Sequence, residues 1–234
     1  MNSRVSNTGF NNIRGVIVDL DGTMVDTLAD FTAALNAMLR DLGLSAVSAP
    51  EVEKWVGKGS EHLIRGIVGR QCDAAQTAVI YPRAWELYQA HYLAINGQFS
   101  AAYPGVKEGL AALQARGLKL ACLTNKPLAF TTPLLAAKGL SRFFSVVFGG
   151  DSFEKKKPHP LPVLRSCEAL GLPPSTVLCI GDSENDALAA HAAGCAVVLV
   201  SYGYNHGVSV REQRFNFGEV AVVDSFFDIK FATI

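Results

Sequence analysis

The sequence carries no excess of either charge: Lys+Arg and Asp+Glu number 21 each in 234 residues. A net charge of zero supplies no global pull toward nucleic acid or an anionic membrane, so any basic site has to be local. No apolar stretch approaches the ~20 residues that span a bilayer. The first apolar run, residues 16–20, is too short for the core of a signal peptide. Cysteines are few, five in all (Cys72, Cys122, Cys167, Cys179 and Cys195). Their odd number and the absence of C-x-x-C spacing argue against a disulfide framework and for buried free thiols. Together these features fit a reducing cytoplasm, with no membrane, no nucleic acid and no required protein partner. Common cofactor signatures are also missing. Gly57-Lys58-Gly59-Ser60 lacks the earlier glycine of a P-loop, and its Gly-Lys pair is not followed by Ser or Thr. No strand is followed by G-x-G-x-x-G. The histidines make no pair with the cysteines at zinc spacing.

What the chain does have is apolar residues, 49% of the total. That is enough for one sizeable core, or a core and a smaller companion. Short apolar runs at 15–20, 118–123, 145–148, 176–180, 195–200 and 220–223 read as strands covered on both faces. Helical patterns at 105–116, 128–138 and 161–170 separate them. This alternation predicts a doubly wound, mainly parallel α/β sheet.

Residues 26–99 break the alternation. Leu28, Phe31, Leu35, Met38, Leu39 and Leu42 form a helical stripe, with Asp26 or Thr27 as its N-cap. Pro50 can start a second helix at its first position, and Ser60 can cap a third. A longer helical region covers 73–95, which Pro82 should kink or divide. The expected organisation is an α/β core of residues 1–25 and 100–234, with an all-helical insertion of residues 26–99.

Four stretches concentrate chemistry where strands end. Asp19-Leu20-Asp21-Gly22-Thr23 places two carboxylates two apart after an apolar run. Asp-Gly is also a hairpin signal, but a capped helix follows. Two close carboxylates repel unless a cation is present or one holds a proton. They therefore suggest a Mg²⁺ site, an acid/base pair, or both. Thr124-Asn125 closes the next strand before a helix, where helix capping and anion binding use the same groups. Glu154-Lys155-Lys156-Lys157-Pro158 offers a lysine to a phosphate or to the acids, or is a solvated loop. Gly181-Asp182-Ser183-Glu184-Asn185-Asp186 holds more acid than capping needs, and its hard oxygens suit Mg²⁺. In a parallel sheet all four strand ends share one edge.

These residues, in this order, resemble the haloacid dehalogenase superfamily. Asp19–Thr23 resembles its D-x-D-G-T motif, Thr124 its second motif, Lys157-Pro158 its third and Gly181–Asp186 its G-D-x-x-x-D. The insertion resembles that superfamily's α-helical cap. Within the superfamily, WVGKGSEHLIR, YPGV, LTNKP, KPHPLPVL and SYGYN are most similar to the wording of phosphoglycolate phosphatases.

The resemblance implies Mg²⁺-dependent hydrolysis of a small phosphorylated metabolite through an aspartyl-phosphate. Asp19 would be the nucleophile. Asp21 would act as acid and then base, so its pKa would have to be raised while Asp19 stays ionised. Asp19, the Asp21 carbonyl and Asp182 would hold the metal, with Asp186 orienting a metal-bound water or Lys157. Thr124, Asn125 and Lys157 would bind the phosphoryl group. Lys58, between two cap helices, and Arg65 are the expected selectivity residues. A β-phosphoglucomutase-like phosphomutase or a sugar-phosphate phosphatase would use the same motifs. A non-catalytic binding protein on this fold is the remaining alternative, opposed by the intact Asp19, Asp21, Thr124 and Asp182.

Overall fold

The computed structural model describes residues 12–229, so the outermost parts of the expected core, 1–11 and 230–234, lie outside it. The six apolar runs form one sheet of β1 (Gly15–Val18), β4 (Lys119–Leu123), β5 (Val146–Phe148), β6 (Val177–Gly181), β7 (Ala196–Val200) and β8 (Ala221–Val223). Its order is β5-β4-β1-β6-β7-β8, and every pairing is parallel. β1 lies between β4 and β6 with all four residues buried, as an uninterrupted apolar run requires. The chain leaves β1 toward one edge and later returns to its other side. Strand order therefore reverses at β1, and the crevice beyond its carboxyl end is where open α/β sheets take ligands.

Two helical layers cover the sheet. α5 (Val106–Ala115) and α6 (Leu128–Ala137) bury Val106, Leu110, Leu134 and Leu135 with Val16, Val18, Cys122 and Ile180. α7 (Leu161–Leu170) and α8 (Glu184–Ala193) bury Val163, Cys167, Ala189 and Ala190 with Ile17, Ala121 and Cys179 on the opposite face. Alternate residues of β1 thus serve the two layers, as the two-residue period of a strand dictates.

Residues between β1 and β4 form α1 (Leu28–Asp41), α2 (Ala49–Glu53), α3 (Ser60–Val68) and α4 (Ala74–Ile95). The α1 stripe enters a separate apolar cluster with Leu63, Ile64, Tyr88 and Tyr92. Several local expectations shift here. Ser48 is the N-cap of α2 and completes a capping box with Glu51, which moves Pro50 to the second helical position. Gly59 occupies the N-cap of α3, and Ser60 is its first residue. Pro82 does not divide α4, which runs unbroken for 22 residues. Beyond the proline, Ala84, Tyr88 and Tyr92 are fully buried. That packing outweighs the ~3 kcal/mol an internal proline costs.

Two very short strands carry no signal in the sequence. β2 (Val25–Asp26) pairs antiparallel with β3 (Ala101–Ala102), tying together the points where the helical segment leaves and rejoins the α/β part. The turn before it is tight: Met24 and Val25 both donate their N–H groups to the Leu20 carbonyl. The Asp-Gly signal therefore does lead into a strand, one of only two residues.

Candidate active site

The strand ends converge as their parallel alignment requires. Asp19 follows β1, and its N–H donates to the Ile180 carbonyl at 2.9 Å, extending the β1–β6 ladder past the last strand residue. Asp21 lies in the turn beyond. Its Oδ1 accepts from the Thr27 hydroxyl at 2.8 Å and from Lys126 Nζ at 2.9 Å. Thr27 is the N-cap position of α1, yet its side chain makes no capping bond. Its hydroxyl is directed to the site instead.

Lys157 is the lysine of its triplet that reaches inward; Lys155 and Lys156 are exposed. Its Nζ donates to the Leu123 carbonyl at 2.9 Å and to Asp186 Oδ1 at 2.6 Å, and lies 2.9 Å from Asp19 Oδ1. Asn125 fixes that loop: it accepts from the Lys157 N–H at 3.0 Å and donates to the Lys157 carbonyl at 2.9 Å. Asp186 also accepts from the Ser183 hydroxyl at 2.6 Å, so one carboxylate both caps α8 and anchors the lysine. Asp182 accepts from the Thr23 hydroxyl at 3.2 Å and the Tyr204 N–H at 2.7 Å. The loop after β7 comes this close because residue 203 is glycine. A Cβ there would lie 2.1 Å from that of Asp182.

Asp19, Asp182 and Asp186 each bring a carboxylate oxygen within 4.8 Å of the others. Asp19 Oδ1 is buried and lacks a hydrogen bond of good geometry despite its nearness to Lys157. A buried acceptor left over beside two further acids fits a hard divalent cation, and oxygen-only donors suit Mg²⁺. The electrostatics agree. Burial first, then Asp186 and Asp21, push the Asp19 carboxyl up to about 7 against the pull of Lys157. Without a metal Asp19 is thus a raised carboxyl, whereas the ionised Asp19 expected from the sequence is the one bound to Mg²⁺. A bound cation would work in the opposite direction. Burial, Asp186 and Asp19 likewise push Asp182 well above the usual carboxylate range. Burial works against the Lys157 ammonium, but Asp186 and Asp19 outweigh it and its pKa rises.

A small cavity of about 30 Å³ joins these groups to the helical segment. Asp19, Asp21, Thr124, Asn125 and Lys126 line it from one side, and Phe31, Val56, Gly57, Gly59, Ser60 and Leu63 from the other. Gly57 and Gly59 have φ of 103° and 91°, which lets the loop lay its main chain on the site. The Gly57 carbonyl accepts from the Asn125 and Asn185 amides at 2.9 and 3.2 Å. Lys58 itself is exposed and does not line the cavity. Arg65 is also exposed; it donates to Glu61 at 2.9 Å and stacks on Tyr81 at 3.7 Å. The structure therefore gathers Asp19, Asp21, Thr124, Asn125, Lys157, Asp182 and Asp186, and leaves Lys58 and Arg65 outside.

Two participants went unassigned in the sequence. Lys126 stands within the Thr124-Asn125 stretch, where a cation between asparagine and proline at a strand end was the available signal. Its burial lowers its pKa, and Asp21 opposes this. Tyr204 opens the tail after Gly203, which has little periodicity to read. Its hydroxyl donates to Asp26 Oδ1 at 2.7 Å and accepts from the N–H groups of Thr27 and Leu28 at 2.6 and 3.0 Å.

A parallel sheet with an acid pair, a buried lysine and a second acid group at its carboxyl edge defines a hydrolase site of a recognisable kind. The haloacid dehalogenase-like hydrolase family profile matches residues 16–200. The chain belongs to that family. It is 44% identical over 200 residues to the phosphoglycolate phosphatase of Nitrosospira multiformis, covering 86% of this chain and 88% of that one. Identity to the phosphoglycolate phosphatase of Nitrosococcus oceani is 39% over 215 residues, with 92% and 94% covered. A solved structure of a predicted phosphoglycolate phosphatase from Haemophilus somnus 129pt superposes with a TM-score of 0.87 at 37% identity, covering 94% of this chain and 98% of that one. Among the described residues no helix is long and apolar enough to cross a membrane.

Proposed function

We propose that this hydrolase is a Mg²⁺-dependent phosphoglycolate phosphatase, releasing glycolate and phosphate through an aspartyl-phosphate on Asp19. The observation that carries the reading is the convergence of Asp19, Asp21 and Thr124 on one cavity beside Lys157, Asp182 and Asp186. The substrate rests on the relatives' names. Asp19, Asp182 and the Asp21 carbonyl would hold Mg²⁺, which would offset the acids' mutual repulsion and the phosphoryl charge.

The chain's own groups account for the remaining steps. An Asp19 oxygen attacks phosphorus as the ester P–O bond breaks. Asp21 gives its proton to the departing alkoxide. Water then attacks the phosphorus of the aspartyl-phosphate, passing a proton to Asp21, and phosphate leaves with Asp19 restored. Thr124, the Asn125 main chain and Lys157 hold the phosphoryl oxygens. Positioning and charge neutralisation supply most of the acceleration in such transfers. Phe31, Val56 and Leu63 of the helical segment line the cavity and would shield the reacting groups from bulk water.

The test is phosphate release from a metabolite panel with and without Mg²⁺, with phosphoglycolate expected among the best substrates. Isomerisation of a sugar phosphate without phosphate release would favour a phosphomutase instead.

A further inference from the structure

Lys126 is the unusual cation of this protein. It follows Thr124-Asn125 on the sheet side, yet its side chain is 1% exposed. Its ammonium lies 4.2 Å from the ring centre of Phe31 on α1 and 4.6 Å from that of Tyr92 on α4. Its acceptors are the two oxygens of one carboxylate, Asp21, at 2.9 and 3.2 Å. An ammonium has three N–H donors. Asp21 can satisfy two; the aromatic faces attract the charge but provide no oxygen acceptor. Lys126 also lines the cavity that holds Asp19. Among that cavity's described lining residues it is the one cation, and the opposite wall is Phe31, Val56 and Leu63 with Ser60 and the main chain of Gly57 and Gly59.

That wall sets a condition on substrates. A second anionic group carried into the cavity beside a phosphoester finds one cation in the lining, Lys126, and otherwise neutral or acidic groups. Buried without a partner, a carboxylate would cost more than binding could return. Asp21 stands two residues after Asp19, and Lys126 two after Thr124. The ammonium pairs with Asp21, and Lys126 lines the same cavity as Asp19 and Thr124.

We propose that Lys126 selects substrates bearing a carboxylate close to the phosphoester, its ammonium pairing with that carboxylate while Phe31 and Tyr92 screen the pair from water. The inference deepens the phosphatase reading above and rests on it. It assigns selectivity to the sheet side of the cavity rather than to exposed Lys58.

The experiment compares 2-phosphoglycolate with ethyl phosphate, which lacks the carboxylate, in wild type, Lys126→Met and Lys126→Gln. Both variants lose the Asp21 pair, so both substrates are expected to slow. The loss in kcat/KM on phosphoglycolate should exceed that on ethyl phosphate by roughly 10- to 150-fold, the factor for a hydrogen bond to a charged group, and should fall mainly on KM. Calorimetry in the Asp19→Asn background supplies a readout independent of turnover. There, adding Lys126→Met should reduce phosphoglycolate affinity toward that of ethyl phosphate. Equal losses on the two substrates, or an unchanged affinity ratio, would overturn the selectivity role and leave Lys126 as a positioning residue for Asp21. A wild-type enzyme that hydrolyses both substrates equally well would overturn it too, with the phosphatase reading intact. Failure to release phosphate from any monoester would instead remove that reading, and this inference with it.

Discussion

The Tyr204 N–H donates to Asp182 at 2.7 Å, while the same residue's hydroxyl holds Asp26 and the first N–H groups of α1. One residue thus links an acid of the site to the start of the helical segment. Its two functions separate by mutation. Tyr204→Phe keeps the N–H and removes the hydroxyl. The buried Thr27 N–H then loses its partner, a loss of about 1–3 kcal/mol, while the exposed Asp26 carboxylate turns to water. Urea unfolding should show that loss, and Mg²⁺ affinity should stay within about threefold of wild type, a limit equal to ~0.7 kcal/mol. A large fall in metal affinity at unchanged stability would contradict this division.

Asp19→Asn should fold and bind ligand but not turn over, since an amide cannot form the acyl-phosphate. Loss of a covalent nucleophile typically removes at least about 10³-fold of rate. Retention of more than that residual rate on the best substrate would assign the nucleophile elsewhere.

The sheet was legible because its strands are buried on both faces: 177–180 and 196–200 have no other use for unbroken apolar sequence. The four strand ends were legible because each couples an apolar run to clustered polar residues. Other features carried no periodic signal. β2 and β3 are two residues each, too short for alternation to register. α4 ignored its proline because Tyr88 and Tyr92 pack beyond it, a tertiary effect. Lys126 and Tyr204 act across 105 and 178 residues of chain, on Asp21 and Asp26. Lys58 stood out for its flanking glycines, but in the structure those glycines bring the loop's main chain to the site and turn the lysine outward.

Asp21→Asn should depend on the leaving group. An alkoxide needs a proton as it departs, whereas p-nitrophenolate does not. General-acid assistance is commonly worth ~10²–10⁴-fold. The variant should therefore lose much more on phosphoglycolate than on p-nitrophenyl phosphate in burst-phase measurements, which isolate the first step. Equal burst-rate losses would remove Asp21 from the acid role.

A proton and a metal ion compete for Asp19. An unfolded aspartate titrates near 3.9, whereas burial holds folded Asp19 at about 7. Between those values the folded metal-free chain keeps a proton that the unfolded chain has released. Its stability should consequently fall as pH rises from about 4 to 7. A cation on the same oxygens must displace that proton. Apparent Mg²⁺ affinity should then weaken below pH 7, by up to about tenfold per unit for each proton displaced. Above pH 7 it should level off, so the gain in Tm on adding Mg²⁺ grows between pH 5.5 and 7.5. Calorimetry in two buffers of different ionisation enthalpy should detect proton release on binding near pH 6. Affinity that stays flat from pH 5.5 to 8, with no proton released, would exclude Asp19 as a titrating metal ligand.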